Sequence, residues 1–301
     1  MPVLNRANTL PRVLEGVKHL SYPHKQIDMV FVDALSTDGT SEILQSFKEQ
    51  NQHEFGNITL VRKSCNIPQG RNLCVDQMAE ADYLWFLDSD VIPEPDSCDR
   101  LLKLAERADI ASLHYSNLGY LNPKPRVSYV HTVETGCTLI KKEVFSKIGK
   151  FDETLTVGED NDFCLRAEKE GFRIIQDTTI ELTHLGKERY SHWRSLYGLI
   201  MYRSVYAKLT LMDGIYRRRF LLYLIISVAT YTAPFISFLL FSPIVLYFVF
   251  QLIRRKNVIV ALVVTLGSLI IVPLTLIGFV ERWYARRTNQ KLLNNVERIP
   301  I

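Results

Sequence analysis

An abrupt change of composition near residue 220 sets what this chain can fold into. From residue 220 to the end only two acidic residues remain, Glu281 and Glu297, while Leu, Ile, Val and Phe dominate. Residues 258–280 have the length of one membrane-spanning helix, because a bilayer core takes about 17–25 apolar residues. The stretch 220–253 is long for one span and short for two, and Pro234 and Ser242-Pro243 can kink or turn it. The expectation is a transmembrane region over 217–301 with two or three segments, at about 220–241 and 258–280, with 242–253 as the third. Basic clusters at Arg217-Arg218-Arg219, Arg254-Arg255-Lys256 and Arg282 to Arg287 flank the apolar runs. Such clusters mark the cytosolic side and suit anionic lipid headgroups. Just upstream, residues 189–216 mix Arg and Lys with Tyr, Trp and Leu at helical spacing, as an amphipathic interfacial helix does. A helix packed on its own domain is the alternative.

The net charge of +4 gathers in those clusters, and residues 1–216 carry no basic patch, so no nucleic-acid partner is expected. The five cysteines, Cys65, Cys74, Cys98, Cys137 and Cys164, form no C-x-x-C pair. Neither a disulfide framework nor a zinc site is expected from them. Free thiols suit a reducing compartment, and no secretory signal is visible, so the polar part is placed in the cytosol and the chain is read as an integral membrane protein.

Residues 1–188 alternate short apolar runs with helical patterns. Strands are expected at 27–32 (IDMVFV), 58–61, 83–87 (YLWFL) and 110–114, with YLWFL, the most apolar, central in its sheet. Helices are expected at 9–20, 40–49, 69–79 and 96–106. This alternation predicts an α/β fold with a doubly wound, mostly parallel sheet and helices on both faces. Ligands bind such sheets at the carboxyl ends of the strands, where Asp33 and Asp88 fall. Only Met1 to Leu4 precede the polar Asn5-Arg6, so the first strand is expected to be very short or truncated.

Five groups of residues carry chemistry. Trp85-Phe86-Leu87-Asp88-Ser89-Asp90 is an apolar strand ending in two carboxylates one residue apart. Mg²⁺ or Mn²⁺ wants such oxygens together with substrate phosphates. A solvated acidic turn is the bland alternative. In Asp33-Ala34-Leu35-Ser36-Thr37-Asp38-Gly39-Thr40 the strand-tip Asp33 can accept hydrogen bonds from a nucleobase or ribose, whereas Asp38 or Thr40 suits a helix cap. Gly158-Glu159-Asp160-Asn161-Asp162 opens a helical run. A carboxylate there can take a proton from an acceptor hydroxyl. An acidic helix N-terminus is also favoured by the helix dipole alone, which accounts for Asp162. His184 can complete a metal shell or be structural. Arg71, beside Asn72, can bind phosphate oxygens or lie on the surface.

Together these segments resemble the family 2 glycosyltransferases of GT-A fold, from Pro2 to about His184. The residues carrying the resemblance are P-V-L-N-R at Pro2 to Arg6, V-D-A-L-S-T-D-G-T at Val32 to Thr40, G-R-N at Gly70 to Asn72, F-L-D-S-D at Phe86 to Asp90, and G-E-D-N-D-F-C-L-R at Gly158 to Arg166. The resemblance implies a glycosyltransferase domain over 1–188. It implies a UDP- or GDP-linked sugar donor held by Pro2, Asn5, Asp33, Arg71, Asn72, Asp88, Ser89 and Asp90. It implies Mg²⁺ or Mn²⁺ on Asp88, Asp90 and His184, a base at Asp160 beside Glu159 for an inverting transfer, and an acceptor-side wall at Gly136 and Cys137. Many members carry Asp-Asp-Gly-Ser where this chain has Asp33-Ala34-Leu35-Ser36. The Q-x-x-R-W motif of processive polysaccharide synthases is missing, so a single addition is expected. The membrane tail suggests a lipid-linked or glycan acceptor, met at the cytosolic leaflet. Two alternatives stand beside this reading. A nucleotidyltransferase would carry a glycine-rich loop after the first strand, and Leu4 to Thr9 has none. A non-catalytic membrane module would bind the nucleotide sugar without turnover.

Overall fold

The computed structural model describes residues 1–78, 80–115, 124–155, 158–185, 221–228, 242–255 and 257–288. The chain divides into two compact units, Met1–Glu188 and Arg189–Ile301.

In the first unit the elements run β1 (Pro2–Val3), α1 (Leu10–Lys18), β2 (Met29–Asp33), α2 (Thr40–Asn51), β3 (Ile58–Arg62), α3 (Ile67–Gln77), β4 (Tyr83–Leu87), β5 (Val91–Ile92), α4 (Ser97–Ala105), β6 (Ile110–Tyr115), β7 (Val127–Tyr129), β8 (Cys137–Lys141), α5 (Lys142–Ile148), α6 (Glu159–Lys169) and β9 (Ile174–His184). Local chemistry explains several of these. In α1, Leu10, Val13, Leu14 and Val17 recur at helical spacing and are all buried. A capping box starts α3: the Asn66 side chain accepts from the Gln69 N–H while the Gln69 side chain accepts from the Asn66 N–H. Gly39, at φ 93°, supplies the left-handed turn before α2.

Two sheets form. β1-β2-β3 is parallel, with Pro2 opposite Val32 and Met29 opposite Ile58. The second sheet runs β4-β8-β6-β9-β5, with β7 also on β9, and is mixed: β6 and β9 are parallel, while β4 and β6 are antiparallel to β8. β4 stands at the end of this sheet and not at its centre. Its apolar character serves its two faces. Trp85 and Leu87 pack with Phe31, Leu101 and Leu139, while Leu84 and Phe86 pack with Phe145, Phe151 and Phe163. Leu84, Phe86 and Leu87, which are buried, contribute about 1.5–3 kcal/mol each. The first strand is as short as expected, two residues.

Cys74, Cys98, Cys137 and Cys164 are buried, Cys65 is half-buried, and all five are free thiols. Burial pushes the thiols of Cys98, Cys137 and Cys164 up to about 12. They are packing residues with little thiolate character.

In the second unit, 221–228 is helical (α7), followed by α8 (Ser242–Arg255) and α9 (Val258–Thr288). Asn257 caps α9, its Oδ1 accepting from the Ile259 and Val260 N–H groups at 3.0 and 3.2 Å. Within α9, Val258–Glu281 is 24 residues long with a mean hydropathy of 2.6 and, among the described residues, is the one helix long and apolar enough to cross a membrane. Val258, Ile259, Leu266 and Val280 are exposed along it. The interfacial helix expected at 189–216 and most of the segment expected at 220–241 lie outside the described residues.

Candidate functional site

The loops that follow β1, β2 and β4 are laced together at the carboxyl ends of these strands. Asn5, itself at φ 51°, donates its backbone N–H to Ser36 Oγ at 2.9 Å and accepts from the Thr37 N–H at 3.0 Å through its side chain. The Arg6 N–H bonds Thr40 Oγ1 at 2.8 Å, and the Ala7 N–H bonds Asp38 Oδ2 at 3.0 Å. Asp38 also accepts from the Thr40 N–H at 3.1 Å, so its work is to hold the loop and open α2. Thr9 Oγ1 donates to the Ser89 carbonyl at 3.0 Å, which ties the turn after β4 to the start of α1.

Asp33 ends β2 and is buried. It accepts from the Ser36 N–H at 2.9 Å and from the Ser41 hydroxyl, and Arg62 lies 3.4 Å away. Between Asp33 and Ser36, Leu35 sits at φ 65° with 46% of its surface exposed. A left-handed conformation costs an L-residue roughly 1–2 kcal/mol, and glycine escapes it at a smaller entropic cost. Leu35→Gly is therefore expected to stabilise the protein by about 0.5–1 kcal/mol. Urea unfolding reads this, and a lowered midpoint would mean that Leu35 holds the loop through its side chain.

Asp88 and Asp90 lie just past β4. The Asp88 N–H donates to the Gly136 carbonyl at 2.8 Å. Asp90 is buried; its carboxylate faces Arg6 Nη2 at 3.2 Å and His184 Nε2 at 3.6 Å, and its carbonyl accepts from the Leu185 N–H at 2.7 Å. Burial pushes the Asp90 carboxyl above its ordinary value and Asp88 adds to this, against the pull of Arg6 and His184. The His184 ring stacks on Tyr115 with centroids 5.5 Å apart, and its buried Nδ1 has no hydrogen-bond partner among the described residues.

Arg71 joins this group to α6. Its guanidinium contacts Glu159 Oε1 at 2.5 Å and Asp88 Oδ1 at 3.5 Å and lies 5.6 Å from the Phe151 ring centroid. Gly158, at φ 79°, turns the chain into α6 so that Glu159 and Asp160 occupy its first turn. Asp160 Oδ1 accepts the Asn161 N–H at 2.7 Å. Burial pushes both Glu159 and Asp160 above the ordinary carboxylate range, while Arg71 pulls both down.

The remaining expected residues fall differently. Asn72 is buried with its amide committed to Phe151 and Glu153, bonding the Phe151 carbonyl at 2.9 Å and N–H at 3.0 Å. Pro2 lies in β1, and a Cβ on Gly70 would come within 2.9 Å of its ring. Cys137 is wholly buried, whereas a Cβ on Gly136 would meet Tyr115 Oη at 2.5 Å, so Gly136 is what admits the Tyr115 ring. Burial pushes the Tyr115 hydroxyl far up, with Asp88 and Glu134 adding to it. Sequence reasoning gives Tyr115, Glu134 and Thr9 no role at this site, and Arg6 only a place in the P-V-L-N-R run. Tyr115 directly follows the expected fourth strand, 110–114, and closes the observed β6, but no local pattern distinguishes it from a core tyrosine.

Among the described residues no group of three His, Cys, Asp or Glu side chains is arranged to enclose a metal ion. A cation here would need substrate oxygens as well, which is how Mg²⁺ commonly sits between carboxylates and phosphates. The donor types fit that use, with the Asp90 carboxylate 3.6 Å from His184 Nε2 and Asp88 two residues away, provided that a cation displaces Arg6 from Asp90.

Residues 1–132 match the family described as "Glycosyl transferase family 2". The chain is 26% identical over 200 residues to the amylovoran biosynthesis glycosyltransferase AmsB of Erwinia amylovora, covering 58% of this chain and 64% of that protein. The chain spans less than two thirds of the length of this relative and of the glycosyltransferase AglE of Haloferax volcanii. Among solved structures, S. aureus TarS 1–349 in complex with UDP-GlcNAc superimposes with a TM-score of 0.51 at 18% identity, over 67% of this chain and 64% of that one. The mannosyltransferase PcManGT of Pyrobaculum calidifontis, in complex with GDP-Man and Mn²⁺, does so with a TM-score of 0.56 at 16% identity, over 94% and 74%. The fold is therefore of the GT-A glycosyltransferase kind.

Proposed function

Residues 1–132 carry the family 2 glycosyltransferase pattern, and from that premise we propose that the chain is an inverting, metal-dependent glycosyltransferase using a UDP- or GDP-linked sugar. The observation that carries this reading is the bridge made by Arg71 between Asp88 and Glu159, which brings the carboxylates after β4 beside the first turn of α6. Asp33 receives the base or ribose. Asp88 and Asp90, with His184 beside Asp90, would hold Mg²⁺ or Mn²⁺ together with the donor's phosphate oxygens. The bound cation supplies neutralisation of the charge that builds on the leaving diphosphate. Arg6 and Arg71 add positive charge to the same region. Asp160 takes the proton of the acceptor hydroxyl as the new C–O bond forms and the bond from the anomeric carbon to the diphosphate breaks, its electron pair leaving with the nucleoside diphosphate, and the raised affinity of Asp160 for protons suits that task. A single displacement inverts the anomeric centre.

In this reading residues 1–188 are the catalytic domain, 189–216 an interfacial helix and 217–301 the membrane region, with the active face in the cytosol. The apolar helix Val258–Glu281 supports membrane attachment. Attachment there favours a lipid-linked or glycan acceptor.

A thermal-shift panel of UDP- and GDP-sugars, each with and without Mn²⁺, tests the donor site. One donor with Mn²⁺ is expected to stabilise the protein by about 2.7 kcal/mol at a hundred times its Kd. Asp90→Ala should lose the Mn²⁺-dependent part. Stabilisation by no nucleotide sugar, or pyrophosphate release from a nucleoside triphosphate, would overturn the reading.

A further inference from the structure

His184 faces Asp90 through Nε2, while its buried Nδ1 has no hydrogen-bond partner among the described residues. A histidine that meets a cation usually has its ring fixed by a hydrogen bond from the second nitrogen to a carboxylate or a carbonyl. Here a different contact holds the ring. The Tyr115 ring lies 5.5 Å away and is inclined by 18°, within the range of offset stacking. Tyr115 is itself held in place. It is buried at the end of β6, and its hydroxyl donates to the Glu134 carboxylate. Its phenol end abuts Gly136, where a Cβ would come within 2.5 Å of Oη and 2.6 Å of Cζ. Gly136 also accepts the Asp88 N–H, so one residue touches both the tip of β4 and the phenol.

The pairing of β6 with β9 brings the two rings together. Leu113 lies opposite Asp177 and Tyr115 opposite Leu182, so β9 advances five residues while β6 advances two. An irregularity of this kind re-aims the side chains that follow it. Two residues further on, His184 lies opposite Val91, at the start of β5 and directly after Asp90. Strand pairing thus sets the backbone of His184 beside Asp90, and the stack on Tyr115 sets the plane of its ring.

Resting on the reading that Asp88, Asp90 and His184 take a divalent cation, we propose that Tyr115 is the positioning residue of that site: it keeps the His184 imidazole in the plane that turns Nε2 toward Asp90, and Glu134 and Gly136 hold the phenol in turn. An imidazole that gives its lone pair to a cation becomes electron-poor. The negative face of a phenol ring favours such a partner. The stack therefore favours the cation-bound state over the empty one. The ring does this, and the hydroxyl serves only to hold the ring.

The test follows Mn²⁺ binding to the full chain by loss of the free-ion electron paramagnetic resonance signal, with UDP and separately with GDP present. Tyr115→Leu removes the stack and should weaken Mn²⁺ binding by about 10–100-fold, as loss of a supporting contact to a metal ligand does. Tyr115→Phe keeps the ring and should stay within about threefold of the unaltered protein. In a His184→Ala background Tyr115→Leu should change the affinity by less than about twofold, because a residue that acts through His184 then has nothing to position. Tyr115→Met fills the space without a ring face and carries the same comparison where the leucine variant does not fold. Unchanged affinity in the leucine or methionine variant, an equal loss with and without His184, or a loss of about tenfold in Tyr115→Phe would overturn the proposal while leaving the metal reading in place. No Mn²⁺ binding by the unaltered protein with either nucleotide would overturn both.

Discussion

Asp160→Asn is expected to lower kcat by about 10²–10⁴, the usual worth of a positioned general base, while leaving the fold intact. Asparagine keeps an oxygen to accept the Asn161 N–H, so the first turn of α6 retains its contact. The sign of the stability effect follows from the direction of the shift. Burial raises the folded-state pKa of Asp160 above its unfolded value. Its favourable contribution is present below the unfolded pKa and disappears as pH rises through the raised folded value. At neutral pH a neutral asparagine removes this burden, so Tm should be unchanged or higher. In the unaltered protein the acidic limb of kcat/KM should lie above the ordinary aspartate range for the same reason. Steady-state kinetics across pH, with Tm measured alongside, check both parts. Wild-type turnover in Asp160→Asn would remove Asp160 as the base.

Arg71→Ala should have the largest effect on stability, a loss of about 3–5 kcal/mol, because it leaves a buried charge without its partner. The Glu159 side chain is 8% exposed and the Arg71 side chain 6%. Removing the guanidinium also removes its contact with the Phe151 ring. Arg71→Lys should recover only part of the loss, since one ammonium cannot span Glu159 and Asp88 as a forked guanidinium does. Adding Glu159→Gln to Arg71→Ala should restore part of the stability, because no buried charge then remains unpaired. Urea denaturation of the set measures this. A loss below about 1 kcal/mol for Arg71→Ala would show that water reaches Glu159 and screens it.

Much of the layout of the strand tips was legible in the sequence because it is local. Tyr83 to Leu87 reads as a strand from its apolar run, and Asp88 and Asp90 follow as carboxylates at its tip. Asp33 and the opening of α2 at Thr40 are legible in the same way. What escaped depends on contacts between distant positions. Glu159 lies 88 residues from Arg71, and no spacing rule links them. The pairing of Arg6 with Asp90 and of Tyr115 with His184 is likewise a product of topology. Asn72, which the resemblance places at the donor, fastens α3 to Phe151, a contact that no local pattern announces. The edge position of β4 was hidden because a strand packed on both faces has the same composition whether or not both its edges are paired. Leu35 gave no warning either, since a positive φ at a leucine is imposed by the loop and not by the residue.

The buried thiols have a practical consequence. A thiol reagent reacts with a buried cysteine only when its surroundings open, at a rate set by the local opening free energy. Cys137 begins β8, Cys164 lies on α6 and Cys98 on α4. The unmodified protein thus carries its own internal clocks, one on the strand beside Asp88, one on the helix that bears Asp160 and one on a helix elsewhere in the same unit. Their relative labelling times would say which part of this unit loosens first, and whether a nucleotide sugar holds the two parts next to the site closed together or only one of them.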